Sequence, residues 1–105
     1  MSTMVDFLGL SPLGANGIPA MNSAKAEAAY EIGKLAVDVV RRDVRPSHVV
    51  TKRTVENAAA AIAGTGGSTN GVLHLVAIAR EYGIDFTIDD FDRISAETPI
   101  VADMP

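Results

Sequence analysis

The chain has 105 residues, which is the length of one small domain and leaves no room for a second. Hydrophobic residues make up 48% and charged residues 21%, a globular composition, although aromatic residues reach only 5%. The net charge of −4 argues against a nucleic-acid binder, and without cysteine the chain alone cannot build a disulfide scaffold, a thiolate nucleophile, or a zinc or iron–sulfur site.

The apolar residues of this chain are small, because Ala, Val, Ile and Leu carry most of the hydrophobic content. Such residues give few large core anchors to a chain that buries only about 60–65% of its unfolded surface, so we expect a piece of something larger. The longest apolar run, Ala58–Ala63, is far shorter than the ~20 residues of a membrane span, and no secretory signal opens the chain. We expect a cytoplasmic protein, or an organellar one if its source is eukaryotic.

The first predicted helix lies within residues 1–10. Ser2 is placed to cap it, Gly9 is placed to end it, and three apolar residues share one face: Met4, Val5 and Leu8. The next segment, Ser11–Pro19, contains two Gly and two Pro and is predicted to be a loop.

The strongest helical pattern covers Ser23–Asp43. Apolar residues recur there at steps of three and four and form one stripe: Ala28, Ile32, Leu35 or Ala36, and Val39. Asp38 adds favourable pairs with Arg41 and Arg42. Pro46 ends this helix, because the residue before a proline is disfavoured in helical geometry. We expect the following residues, Ser47–Val50, to form a short extended link.

Two more helices are predicted on either side of a glycine-rich break. Thr51 is placed to cap the first, which runs through Ile62 and contains the tetra-alanine Ala58–Ala61, a run that lets another backbone approach closely. Gly64–Gly67 breaks the helical pattern. The next helix spans about Thr69 to Tyr82 and ends at Gly83; it is apolar over more than half its circumference, which predicts burial on several sides.

The last predicted helix begins with a capping box and a hydrophobic staple. Thr87 and Asp90 stand at the N-cap and N3 positions, and Phe86 and Phe91 stand at N′ and N4. This helix is expected to run to about Ala96. The sequence therefore predicts a single, mainly α unit over residues 1–105, with about four to five helices and little strand.

Gly64–Asn70 is the segment with the character of a binding site. The segment contains adjacent glycines, two hydroxyl groups and an amide, and it leads directly into the N-terminus of a helix. Free N–H groups at a helix N-terminus can hold a carboxylate or phosphate. No lysine follows the glycines, so this is not a P-loop. The alternative is an ordinary helix–loop–helix in which Ser68 or Thr69 is the N-cap.

Other polar residues have structural explanations. His48 and His74 have no partner at a spacing typical of a catalytic triad or a metal pair. Helix capping and solvation account for the acidic residues near the last helix: Asp89, Asp90 and Asp92. A solvated helix end similarly accounts for the basic cluster: Arg41, Arg42, Arg45, Lys52 and Arg53.

Several segments together resemble the dihydroxy-acid dehydratase / phosphogluconate dehydratase family, over essentially the whole chain. The motifs are Leu8–Ser11 with Ile18–Ala20, Arg41–Pro46, Gly66–Asn70 with Val72–Leu75, and Asp89–Ser95 with Thr98-Pro99. The Asp89–Ser95 block favours the dihydroxy-acid branch, whereas sugar-acid dehydratases share much of the Gly66–Asn70 block.

This resemblance implies an enzyme several times longer, with an α/β N-terminal domain, a β-barrel C-terminal domain, and a dimeric or larger assembly. Such an enzyme removes water from a 2,3-dihydroxy acid to give a 2-keto acid, a step in valine and isoleucine synthesis. In the family an iron–sulfur cluster acts as Lewis acid on the leaving hydroxyl, a magnesium ion holds the substrate, and a serine takes the α-proton.

The resemblance also implies that these groups lie outside this chain. No catalytic or metal-binding residue of the family maps onto residues 1–105, so no cofactor is expected to bind the chain itself. Met1 resembles an internal methionine, and we expect an interior segment of the N-terminal domain that is inactive in isolation. Four residues match a segment beside the active-site cleft, whose backbone N–H groups are expected to orient the substrate or the cluster-bearing loop: Gly66, Gly67, Ser68 and Thr69.

Three hypotheses follow from the sequence. The chain belongs to a dihydroxy-acid dehydratase, to a sugar-acid dehydratase acting on phosphogluconate or an aldonate, or to a non-catalytic helical interaction module. Under the first two, the expected partners are the rest of the polypeptide, a small hydroxy-acid substrate and further copies of the enzyme, with no nucleic acid and no membrane.

Overall fold

The computed structural model describes residues 1–102 and contains six α-helices and one 3₁₀ turn, Ala15–Gly17. No strand occurs in these residues, so the prediction of a mainly α chain is confirmed. The structure has one α-helix more than the predicted four to five, namely the short helix α3. In chain order the helices are α1 Ser2–Phe7, α2 Ala24–Arg41, α3 Pro46–Val49, α4 Lys52–Gly64, α5 Thr69–Glu81 and α6 Ile88–Glu97.

Helix α4 lies at the centre of the fold and contacts α1, α5 and α6. Ala58 and Ala59 on this helix are completely buried. Since alanine carries only a Cβ atom, the backbones of the neighbouring helices can approach α4 closely, as the alanine run predicts. The other buried apolar residues surround this face: Met4, Leu8, Val50, Val55, Ile62, Leu75, Ala79, Phe86 and Ile94.

Helix α1 packs on α4 and ends at a glycine, as predicted. Gly9 has a φ of 79°, a left-handed conformation that disfavours residues with a Cβ atom. A Cβ atom at this position would also lie 2.5 Å from Cγ1 of Val49, so Val49 or the backbone would have to shift to accept a side chain. The prediction of Ser2 as the cap is wrong: Ser2 is already helical and Met1 occupies the N-cap position without a side-chain bond.

Helix α2 is attached to the preceding loop rather than to the core. Nζ of Lys25 donates to the carbonyl oxygens of Ala15 at 3.3 Å and Ile18 at 3.1 Å. The predicted pair of Asp38 with Arg42 is present at 3.2 Å. No residue of α2 is buried, so its predicted apolar stripe remains largely in contact with solvent.

Asp6 holds the loop between α1 and α2 in a defined shape. Its carboxylate accepts hydrogen bonds from the backbone N–H of Gly14 at 3.0 Å and from the side-chain amide of Asn16. The Asn16 amide also donates to Oγ of Ser11 at 3.0 Å. The predicted loop is therefore confirmed, and side-chain bonds rather than apolar packing fix its path.

The prediction of an extended link over Ser47–Val50 is wrong, because Pro46–Val49 form the single helical turn α3. Proline at the first helical position has a backbone angle already suited to a helix and lacks only an N–H that would stay unpaired. The residue before the proline is nevertheless non-helical, as expected, because Arg45 has an extended backbone. Nδ1 of His48 accepts from the backbone N–H of Arg45 at 3.4 Å, which gives His48 a structural role.

Helices α5 and α6 lie against α4 and leave apolar side chains exposed. In α5, Leu75 and Ala79 are buried, but Leu73 is 66% exposed, so the predicted burial on several sides is not reached. The molecule measures 38 × 34 × 18 Å, a flat shape with one buried layer. Among the helices of residues 1–102, none has both the length and the apolar composition needed to cross a bilayer.

We expect Gly9→Ala to lower the free energy of unfolding by about 2–4 kcal/mol, since the new Cβ atom meets both an unfavourable φ and Val49. Gly14→Ala is the matched control. Gly14 has a φ of 84°, but a Cβ atom there would have no other atom within 4 Å, so only the conformational cost of about 1 kcal/mol should appear. Urea denaturation measures both variants, and equal destabilisation would contradict the close approach of α3.

Candidate functional site

The glycine-rich segment forms the connection between α4 and α5. Thr65 is the C-cap of α4, and Gly66 follows in a left-handed conformation with a φ of 58°. The N–H of Gly66 donates to the carbonyl of Ala63 at 3.3 Å, and the N–H of Gly67 donates to the carbonyl of Ile62 at 2.8 Å. These two bonds form a Schellman motif, which satisfies the last carbonyl groups of the helix.

The second glycine lies tightly against the end of α4. A Cβ atom on Gly67 would lie 3.0 Å from both the Cγ2 atom and the carbonyl oxygen of Ile62. The N–H groups of Gly66 and Gly67 are already engaged with α4. Of the segment that the sequence singled out, these two glycines therefore shape the loop, and the unpaired donors within residues 1–102 lie in the residues that follow.

Those residues form the N-terminus of α5. Ser68 is the N-cap, and its Oγ accepts from the backbone N–H of Asn70 at 3.2 Å, so the interpretation of Ser68 as a cap is confirmed. Within residues 1–102, the backbone N–H groups of Ser68 and Thr69 and the Thr69 hydroxyl have no hydrogen-bond partner. Both residues are exposed. This corner therefore presents three donors at the positive end of a 13-residue helix.

The segment after α6 returns to the same region. The backbone N–H groups of Val101 and Ala102 donate to the carbonyl of Gly64 at 2.7 and 3.1 Å. A Cβ atom on Gly64 would lie 3.4 Å from the carbonyl oxygen of Pro99, an ordinary van der Waals distance, so this segment lies directly against the end of α4. The sequence contains no local signal for this long-range contact.

An apolar depression lies beside Thr69, between α5 and α6. It has a volume of about 530 Å³ and is open to solvent. Leu73 is 66% exposed and Ile88 is 59% exposed, so two large aliphatic side chains in it face solvent. The depression is lined by Thr69, Val72, Leu73, Val76, Ile88 and Phe91.

The donors of this corner can bind an anionic group. His74 is exposed on α5 and His48 is exposed on α3. Within the described part of the chain, no three His, Asp or Glu side chains converge as a metal site would require. The basic cluster is likewise exposed, with Arg42 paired to Asp38 and Arg45 paired to Asp43. The geometry of residues 1–102 is thus that of a binding element.

The acidic start of α6 is a helix cap, as predicted. Oδ2 of Asp90 accepts from the backbone N–H of Thr87 at 2.9 Å and from its hydroxyl at 3.2 Å. The hydrogen bond from the Thr87 backbone is the main cause that lowers the pKa of the Asp90 carboxyl. Desolvation raises this pKa, and the Thr87 hydroxyl, Lys52 and Arg93 lower it further. The role of Asp90 is therefore to stabilise the helix.

A family model described as dihydroxy-acid/6-phosphogluconate dehydratase N-terminal matches residues 1–105. A protein named dihydroxy-acid dehydratase from Koribacter versatilis is 49% identical over 99% of this chain. Proteins of the same name from Roseiflexus sp. and Thermus thermophilus are 48% and 46% identical, again over 99% of the chain. The chain spans 18–19% of the length of these curated relatives.

We expect Asp90→Asn to lower the free energy of unfolding at neutral pH and to make that free energy less dependent on pH in the acidic range. The depressed pKa means that this carboxylate stabilises the folded state above about pH 4, the ordinary pKa of aspartate, and that the contribution disappears as the pH falls through the lower folded value. Unfolding free energies of the native chain and the variant should therefore converge in acid. Asp92→Asn, at an exposed position, is the control; a constant difference at all pH values would contradict this role of Asp90.

Proposed function

The chain belongs to the dihydroxy-acid/6-phosphogluconate dehydratase family, and we propose that it forms part of the N-terminal domain of a hydro-lyase. This enzyme removes water from a 2,3-dihydroxy acid to give a 2-keto acid in branched-chain amino-acid biosynthesis, a cytoplasmic or organellar process. The observation that carries the proposal is the 46–49% identity, over 99% of the chain, to proteins named dihydroxy-acid dehydratase.

In the proposed enzyme, the six helices form a helical layer of an α/β domain that other parts of the polypeptide complete. The exposed apolar side chains support this arrangement. An accessible surface of 7225 Å² exceeds the roughly 5,600 Å² typical of a folded 11 kDa monomer by about 1,600 Å². Extra accessible surface of this extent is typical of a chain that is covered by further structure or by other copies. The proposal therefore includes a homo-oligomer.

The iron–sulfur cluster and magnesium ion implied by the family do not fit the side chains of this chain. The sequence has no cysteine to bind a cluster. Among residues 1–102, no three His, Asp or Glu side chains converge to hold a metal. We propose that residues outside this chain bind both groups, so the contribution of residues 1–105 lies in binding and support.

The N-terminus of α5 is the part of this chain that we assign to substrate binding. The two N–H groups of Ser68 and Thr69 and the Thr69 hydroxyl are donors, and a carboxylate is an acceptor with two oxygens. The helix dipole favours negative charge at this position. In this assignment the donors orient the carboxylate of the hydroxy acid, while Gly66 and Gly67 hold the loop in place through their bonds to α4.

The sugar-acid alternative remains a second candidate, because the matching family model includes 6-phosphogluconate dehydratases. We expect the complete protein that carries this sequence to dehydrate 2,3-dihydroxyisovalerate at least tenfold more efficiently than 6-phosphogluconate or an aldonate. Comparing kcat/KM for these substrates, by the appearance of the 2-keto acid, measures the difference. A preference for a sugar acid would favour the second candidate, and no dehydration of either class would favour the non-catalytic module.

We expect Thr69→Ala in the complete protein to raise KM for the hydroxy acid about tenfold, since a hydrogen bond to a charged group contributes about 1.5–3 kcal/mol. Its unfolding free energy should change little, because the hydroxyl has no partner within residues 1–102. Ser68→Ala should instead lower stability by about 1 kcal/mol through loss of the cap. Ser95→Ala, at an exposed position of α6, is the control. Unchanged KM and kcat in both loop variants would contradict the assignment.

A further inference from the structure

Two asparagines of this chain, Asn16 and Asn70, are each followed by a glycine. Because glycine has no Cβ atom, the backbone after such an asparagine rotates more freely than it does before any other residue. This freedom lets the glycine nitrogen reach the side-chain carbonyl of the asparagine, which is the first step of deamidation. The structure restrains the two pairs in different ways.

The pair at Asn70 is restrained by a helix that packs on the core. The N–H of Gly71 donates to the carbonyl of Ser68 at 2.8 Å, in the first turn of α5. Gly71 is buried, and a Cβ atom on it would lie 3.3 Å from Cδ1 of Ile62. Rotation of this backbone therefore requires the start of α5 to separate from α4.

The pair at Asn16 lies in the loop after α1 and is restrained by hydrogen bonds alone. The N–H of Gly17 donates to the carbonyl of Gly14 at 3.0 Å, within the 3₁₀ turn. The side-chain amide of Asn16 donates to the carboxylate of Asp6 and to Oγ of Ser11 at 3.0 Å. No residue of this turn is buried. These bonds therefore keep the Gly17 nitrogen from turning toward the Asn16 side chain.

The Asp6 carboxylate is the strongest of these restraints, because a hydrogen bond to a charged acceptor is stronger than one to a hydroxyl. The same carboxylate accepts from the backbone N–H of Gly14 at 3.0 Å. Asp6 thus holds the asparagine and also the residue whose carbonyl engages Gly17. Loss of the Asp6 contacts would free both reacting groups together.

We propose that Asn16 is a deamidation site and that the Asp6 carboxylate keeps it unreacted while the loop is closed. When the loop opens, the backbone nitrogen of Gly17 attacks Cγ of Asn16. The new C–N bond replaces the bond from Cγ to Nδ2, and the amide leaves as ammonia with the proton of the attacking nitrogen. A water molecule then opens the cyclic imide at either of its carbonyl carbons, which leaves an aspartate or an isoaspartate residue.

The reaction releases the loop permanently. A carboxylate at position 16 cannot donate to Asp6, and two carboxylates at hydrogen-bonding distance repel each other. Lys25 binds the carbonyl oxygens of Ala15 and Ile18, on the two sides of the reacting pair. The open loop therefore also loses its attachment to the start of α2, a helix without buried residues. Deamidation of Asn16 is thus a one-way change that frees this end of α2.

The rate of deamidation in the complete protein tests the role of Asp6. Native and variant proteins are kept in mildly alkaline buffer and digested in mild acid, and mass spectrometry measures conversion at Asn16 and Asn70. We expect Asp6→Ala to raise the rate at Asn16 about tenfold, because its charged hydrogen bond opposes opening of the loop. Ser11→Ala removes a neutral acceptor and should raise this rate less than about threefold. Asn70 is the internal control and should react equally slowly in all three proteins.

A synthetic peptide of residues 11–22 gives the rate without any restraint. A rate at Asn16 of the native protein equal to that of the peptide would overturn the proposal. So would equal rates in the native protein and Asp6→Ala, or an equal acceleration at Asn70, which would replace loop opening by general unfolding. The chemistry uses this chain and water only, so loss of dehydratase activity with the expected rates would count against the proposed function alone.

Asn16→Asp imitates the product and tests the release of the loop. We expect the Gly14 amide, which bonds to Asp6, to exchange its hydrogen about tenfold faster than in the native protein. Asn16→Ser is the matched control, since it removes the amide without adding a charge, and its exchange should lie between the two. Native exchange in Asn16→Asp, or equal acceleration in both variants, would contradict release by charge repulsion.

Discussion

The close approach of three helices to the small side chains of α4 is the constraint on which the rest of this structure depends. Ala58 and Ala59 are completely buried, and the large residues of the core lie around them rather than on them. Leu8, Val55 and Leu75 are fully buried, and burial of each such side chain contributes about 1.5–3 kcal/mol. Larger residues in place of the alanines would separate the helices and remove these contacts.

The position of the proposed binding element follows from the end of α4. The Schellman bonds of Gly66 and Gly67 turn the chain from α4 into α5, and Gly71 lets α5 approach Ile62, where a Cβ atom would lie 3.3 Å from Cδ1. Residues 101–102 then bond to the carbonyl of Gly64. The donors at Ser68 and Thr69 therefore project from a corner that is held by the core, which is a suitable support for a binding group.

The flat shape explains why the helix patterns predicted more burial than the structure contains. The radius of gyration is 14.8 Å, against about 13 Å for a spherical domain of this length. The helices around α4 each bury the side that faces α4, and no residue of α2 is buried. The sequence of α5 correctly predicted apolar residues on more than one side of the helix, since Leu73 and Leu75 lie on different sides. The neighbours that would cover Leu73 are not in residues 1–102.

The local features follow from the order of the residues: the helices, the caps at Thr51 and Thr87, the glycine that ends α1, and the family motifs. These depend on residues within a few positions of one another, where propensity and capping chemistry act directly. The sequence pattern misassigned α3, because a proline disfavours a helix before it but also suits the first position of a new one; α2 itself already ends at Arg41. The packing of the helices decided that Leu73 is exposed and that the segment after α6 bonds to the carbonyl of Gly64. Those outcomes depend on which groups meet in space, and sequence spacing does not specify that.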